Sequence, residues 1–294
     1  MKSSKVIILG SGISGMTASI YLKRGGITPI IIENNTPGGT LNIIPSIENY
    51  PGFNEISGPD LAVNIYNQTK KLGIEYIYRN IEKIDLKNKI IDNDTKFDYL
   101  IIATGRRARL LGLENEDKYL GRGISTCALC DGTFYKDKEV IVVGGSSSAI
   151  SEALYLSNIC KMVTIIHRGD SYRAQKILID KLGSTKNIKQ IFNANVIKYN
   201  IKNNKIIGVT LDNNKKIKAD GIFLGIGSIP NSDIFEAPKE DNYIIVDNEM
   251  KTNIDYVYAI GDVTKKKTYQ LITASSDGII AASSIIKREI NKDK

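Results

Sequence analysis

Two cysteines in this chain stand two residues apart, in "STCALCDG", and an acidic residue follows the second directly. Cys127 and Cys130 at that spacing could work as a redox dithiol, with the Asp131 carboxylate at hand to move a proton. The same pair could be half of a zinc site, or inert. Zinc would need two further Cys or His ligands, and only Cys160 and His167 remain. Cys160, in "EALYLSNICKMV", falls at apolar helical spacing and reads as a core residue. The single histidine leaves a His-built metal site or a Ser-His-Asp triad without support, so no metal is expected.

A dithiol needs something to exchange electrons with, and two strand–turn–helix segments are candidates to hold it. The first is "KVIILGSGISGMTASIYLKRGG", followed by "TPIIIE". An apolar strand from Val6 to Leu9 meets Gly10-x-Gly12-x-x-Gly15 and then an apolar-periodic helix; a second strand ends in Glu33. Gly10 suits the tight turn, Gly12 lets the backbone approach a pyrophosphate, and Gly15 lets helix and strand pack closely. The free N–H groups of the helix start face the phosphates, and Glu33 can accept hydrogen bonds from a ribose.

The second segment is "EVIVVGGSSSAISEALYLSN", followed by "KMVTIIHRGDSYRA". Gly144 can make the turn and Ala149 can take the packing position. Ser146, however, falls where the second glycine belongs, and its side chain would crowd an approaching pyrophosphate. The following strand ends in His167-Arg168 with no carboxylate, which favours a 2′-phosphorylated cofactor over NAD if anything binds. Either a nicotinamide site persists here, or an inherited fold has lost it.

At 294 residues the chain can hold two domains of ordinary size. Hydrophobic residues make up 42% and charged residues 24%, as in globular proteins. No apolar run approaches the ~18 residues of a membrane span. "MKSSKVIILGSG" runs from two lysines straight into a strand, unlike a secretory signal, so a cytoplasmic location is expected. The net charge of +8 suits an acidic partner or a merely basic surface. No basic helix, zinc spacing or aromatic-basic interleaving speaks for nucleic acid.

Taken with these motifs, "GSGISGMTA", "GGTLNIIPSIENYPGF", "IIATGRRARLLG", "GRGISTCALCDG", "HRGDSYRA", "GIGSIPNSDIFE" and "YVYAIGDV" resemble the low-molecular-weight thioredoxin reductase family, in order, from about Val6 to Arg288. The resemblance implies an α/β fold of two Rossmann-like three-layer dinucleotide-binding domains, the second inserted into the first. The FAD domain would comprise 1–109 and 241–294, and the disulfide domain 110–240, with hinges near 109–112 and 239–243. FAD would bind at Gly10, Ser11, Gly12, Gly15, Glu33, Gly39, Thr40, Asn49, Ala103, Thr104, Gly105, Gly261, Asp262 and Gln270. Cys130 would take electrons from the flavin, Cys127 would attack the disulfide of thioredoxin, and Asp131 would move the proton. The family is usually a homodimer.

Departures from the family pattern cluster at the second turn. Ser146 replaces a glycine and Ser147 an acidic or amide residue. Gly169 stands where a second arginine usually follows Arg168, although Arg173 is retained. On the flavin side, Thr40 replaces the usual glutamine, Tyr269 a basic residue and Leu271 a small one. These changes point to the ferredoxin-dependent branch of the family, with a degenerate nicotinamide site and an acidic ferredoxin as electron donor. Lys265, Lys266 and Lys267, with Arg106, Arg107 and Arg109, are then the candidate donor contacts. The alternatives are an ordinary NADPH-dependent thioredoxin reductase, a flavin oxidoreductase that does not use the disulfide, and a non-enzymatic FAD-binding redox protein.

Overall fold

In the structure, a computed structural model, residues 2–44, 47–233, 235–236 and 238–292 are described. Pro45, Ser46 and Ile234, which fall within two of the stretches that carry the resemblance, lie outside them. The chain divides by its contacts into two units, Met1–Arg107 with Ile229–Lys294, and Ala108–Ser228.

The first unit begins with β1 (Lys2–Leu9), α1 (Ile13–Arg24), β2 (Ile30–Glu33), α2 (Gly58–Lys71) and β3 (Glu75–Tyr78). The short strands β4 (Ile84–Asp85) and β5 (Ile90–Ile91), then β6 (Thr95–Ile102) and β7 (Arg106–Ala108), follow. Its sheet runs β3-β2-β1-β6-β5-β4, parallel from β3 to β6, with the short β5 and β4 added antiparallel. Val6 to Leu9 are almost fully buried, as expected of a central parallel strand covered on both faces. Alternate residues of β1 enter two different cores: Val6 and Ile8 pack with Ala18, Leu22, Ala281 and Ile285, while Ile7 and Leu9 pack with Phe97, Ile244 and Val257. This period-2 division makes the unit three-layered.

In the second unit come α3 (Glu116–Tyr119), β8 (Ile124–Ser125), α4 (Ala128–Asp131), β9 (Glu139–Val143), α5 (Ser147–Ser157) and β10 (Met162–Ile166). They are followed by α6 (Lys176–Ser184), β11 (Ile188–Ile191), β12 (Val196–Lys202), β13 (Lys205–Leu211), β14 (Lys216–Lys218) and β15 (Gly221–Leu224). The order β11-β10-β9-β15-β8 is parallel throughout, and β12-β13-β14 form an antiparallel meander. Val140 and Val142 face α5, with Ala149, Ile150 and Ala153. Ile141 and Val143 face the meander, with Tyr199, Val209 and Leu211. Again there are three layers.

The chain then returns through β16 (Ser228–Pro230), β17 (Lys239–Glu240), β18 (Tyr243–Ile244), β19 (Val257–Ala259) and the long α7 (Leu271–Lys292). β19 adds a parallel strand beside Leu100–Ile102 of β6. The sequence places the outward crossing at 109/110 and the return at 240/241; the contacts place them at 107/108 and 228/229. The return falls earlier because Phe235, 1% exposed, is already packed in the first unit's core. Among the described residues, no helix is long and apolar enough to cross a membrane.

Candidate functional site

The carboxyl ends of β2, β1, β6 and β19 open on one cavity of about 990 Å³ in the first unit. That is at the upper end of the ~300–1,000 Å³ usual for small-molecule sites. Of the expected flavin-binding residues, all but Gly15, Asn49 and Gly261 line it. The three exceptions act at one remove. A Cβ on Gly15 would stand 2.1 Å from Gly10 O, so Gly15 lets α1 close on the turn. Asn49 Nδ2 donates to Gln270 Oε1 at 3.2 Å, and Gly261 N–H donates to Asp277 Oδ2 at 2.8 Å.

The turn itself is shaped for a ligand. Gly10 has φ +99° and a Cβ there would meet Ala103 O at 2.6 Å, whereas a Cβ on Gly12 would meet nothing within 4 Å. Open space over Gly12, at the N-cap of α1, is where a pyrophosphate would approach the helix amides. Glu33 is 8% exposed and fixed by four donors: Ser11 N and Oγ at 2.7 and 2.6 Å, and the N–H groups of Asn34 and Asn35 at 2.9 Å. Its carboxylate is thus pre-oriented at the β2 end of the cavity. These features fit a dinucleotide such as FAD. At the other end stand Asp262, Tyr269 and Gln270. Burial pushes the Asp262 carboxyl above the usual carboxylate range, and Arg106 and Lys266 offset this only in part.

The basic residues read as donor contacts are mostly engaged elsewhere. Arg106 Nε is 2.9 Å from Asp262 Oδ2 and Arg107 Nη2 is 2.9 Å from Asp233 Oδ2, both in the cavity wall. Lys265 pairs with Glu240 and Asp241, and Lys266 with the buried Asp277. Only Lys267 and Arg109 are left exposed and without an ion pair among the described residues. Four of the six basic residues are therefore paired with carboxylates. A run of lysines shows charge in sequence but not the carboxylates that fold against it.

A second cavity, of about 580 Å³, opens over the turn after β9 and is lined by Gly144, Gly145, Ser146, Arg109, Arg168 and Arg173, among others. The guanidinium groups of Arg109, Arg168 and Arg173 have no acidic partner among the described residues. Ser146, expected to crowd an approaching pyrophosphate, is in the lining of this cavity. It is the N-cap of α5, and its Oγ accepts the Ala149 N–H at 3.4 Å. Arg173 N donates to Gly145 O at 2.8 Å, which holds its segment against the turn. Sequence reading identified Arg168 and Arg173 but not Arg109 as part of this cavity, because Arg109 arrives from a connecting segment far away in the chain.

Cys127 and Cys130 are joined in a disulfide across the first turn of α4, with Cα atoms 5.3 Å apart. Both are half-buried, Asp131 follows on the same short helix, and Leu129 and Phe134 beside them are 46% and 72% exposed. Cys160 is 5% exposed, and burial pushes its thiol up to about 11, so it stays protonated in the core. Among the described residues, no group of three His, Cys, Asp or Glu could hold a metal ion.

The family model described as pyridine nucleotide-disulphide oxidoreductase matches residues 4–278. A thioredoxin reductase of Buchnera aphidicola is 42% identical, over 95% of this chain and 94% of its own. The crystal structure of Lactococcus lactis thioredoxin reductase is similar with a TM-score of 0.83 at 35% identity, covering 97% of this chain and 98% of that one. A ferredoxin-flavin thioredoxin reductase from Clostridium acetobutylicum is similar more distantly, at 28% identity and a TM-score of 0.54 over 99% of both chains.

Proposed function

This chain belongs to the pyridine nucleotide-disulphide oxidoreductase family, within its low-molecular-weight thioredoxin reductases, and on that footing we propose that it passes electrons from NADPH through FAD and the Cys127–Cys130 disulfide to thioredoxin. The ferredoxin donor expected from the sequence has no support. The matched family is described by a pyridine nucleotide, and the more similar relatives carry no ferredoxin in their names. The observation that carries NADPH is the second cavity: a glycine turn at a capped helix start, lined by three arginines without an acidic partner among the described residues. Guanidinium groups suit the 2′-phosphate that separates NADPH from NADH.

Bound FAD supplies the two-electron exchange between nicotinamide and disulfide. The chain's own residues do the rest. Once the pair is reduced, the Cys127 thiolate attacks one sulfur of the thioredoxin disulfide. A Cys127–thioredoxin bond forms and the displaced thiolate takes a proton. Cys130 then attacks Cys127 Sγ, which restores the Cys127–Cys130 bond and releases the second thioredoxin sulfur. Asp131, adjacent in α4, holds or delivers the protons. The exposed Leu129 and Phe134 offer apolar surface on which a protein substrate can dock.

The test is multiple-turnover reduction of thioredoxin by NADPH. Sustained turnover that is lost in Cys127→Ser and Cys130→Ser supports the reading; turnover that survives in either variant would exclude a disulfide relay.

A further inference from the structure

The Arg106 guanidinium, at the start of β7, stands in the wall of the first unit's cavity. Its Nε is 2.9 Å from Asp262 Oδ2 in an ion pair, and its Cζ lies over the Tyr269 ring, 4.9 Å from the centroid. Those contacts use one N–H and one face. An arginine carries five N–H donors, and the other four have no protein partner among the described residues. Nearby cations are committed: Lys266 to Asp277, and Arg107 to Asn231 and Asp233. At this end of the cavity Arg106 alone, among the described residues, keeps several donors to spare.

Strand order says which end this is. Glu33 ends β2, the Gly10–Gly12 turn follows β1, Ala103 follows β6, and Asp262 follows β19, with the strands in that spatial sequence. A dinucleotide with its adenosine ribose at Glu33 and its phosphates over Gly12 extends its flavin half towards Ala103, Arg106 and Asp262.

We propose that Arg106 is a flavin-binding residue of this protein: its spare N–H groups hold the flavin half of the cofactor, and its charge favours the reduced form. The inference rests on the reading of this cavity as an FAD site. A guanidinium already clamped between a carboxylate and an aromatic ring loses little freedom on gripping a ligand. A fixed cation beside a group that gains negative character stabilises the charged state. Its removal acts twice in the same direction, because the half-buried Asp262 carboxylate would then face the flavin without the Arg106 guanidinium.

The test uses the full-length protein, stripped of flavin and titrated with FAD, followed by reductive titration of the reloaded protein. Arg106→Gln is expected to bind FAD about tenfold more weakly and to shift the flavin midpoint potential downward. Arg106→Lys, which keeps the charge but loses the planar fork, is expected to hold the wild-type potential while binding FAD more weakly. Wild-type affinity and potential in Arg106→Gln would overturn the proposal; should that variant not fold, wild-type affinity in Arg106→Lys would overturn it equally. A wild-type protein that takes up no FAD at all would instead bring down the cofactor reading beneath it.

Discussion

Ser146 Oγ accepts a hydrogen bond from the backbone N–H of Ala149, 3.4 Å away, and so caps the helix that follows the second glycine turn. The hydroxyl, in the lining of the cavity above the turn, is thus directed at the helix start. Two substitutions separate these roles. Ser146→Ala removes the cap and should cost about 1 kcal/mol in denaturant unfolding. Ser146→Gly should leave the KM for NADPH within about threefold of wild type, since the cap loss on going to glycine is only a few tenths of a kcal/mol. A large fall in KM on going to glycine would show that the serine does obstruct the cofactor.

The three arginines of that cavity, without acidic partners among the described residues, predict a specific kinetic pattern. Arg168→Ala and Arg173→Ala should each raise the KM for NADPH about 10- to 100-fold, the worth of one or two charge-assisted hydrogen bonds. NADH, without the 2′-phosphate, should be little affected, and kcat at saturation should change least. Equal losses with both nucleotides would place these arginines outside the phosphate subsite.

Much of the site was legible in the sequence, because glycine spacing, terminal acids and a Cys-x-x-Cys pair are local signals. Gly10, Gly12 and Glu33 all stand in or at the cavity, and Cys160 is a core residue. The misreadings came from side-chain direction and from partners distant in the chain. The part of Ser146 as a helix cap was missed because spacing does not report which way an Oγ points. Arg106, Lys265 and Lys266 were read as free charge, yet Asp262, Asp241 and Asp277 lie against them only once the chain is folded. The return crossing was set too late because a short buried segment around Phe235 has no periodicity long enough to assign.

Glu152 predicts a pH effect on stability. Its Oε2 is buried without a hydrogen-bond partner among the described residues, and burial raises the carboxyl to about 7. In the unfolded chain it titrates near ~4.3, so folding favours the protonated form. Its contribution is complete below that value and is lost as pH rises through about 7, a loss of up to about 3 kcal/mol. Glu152→Gln should therefore gain stability relative to wild type between pH 5 and pH 8. Parallel stability curves across that range would show that the carboxyl is not held protonated.

The disulfide makes a prediction that does not depend on the electron donor. Cys130→Ser should retain flavin and a normal melting temperature, because both sulfurs are half-buried on a short helix and neither belongs to a core cluster. It should still lose thioredoxin turnover by several orders of magnitude. An intact Cys127 in that variant should trap thioredoxin as a mixed disulfide visible on non-reducing gels, whereas Cys127→Ser should trap none. Trapping by Cys130 alone would reverse the assignment of the attacking sulfur.

The most direct measurement is anaerobic mixing of the oxidised flavoprotein with excess NADPH while the flavin absorbance is followed. If NADPH is the donor, the flavin bleaches within the turnover time and the Cys127–Cys130 thiols become titratable. A flavin that stays oxidised with NADPH but bleaches with reduced ferredoxin would contradict that assignment and reduce the second cavity to a relic.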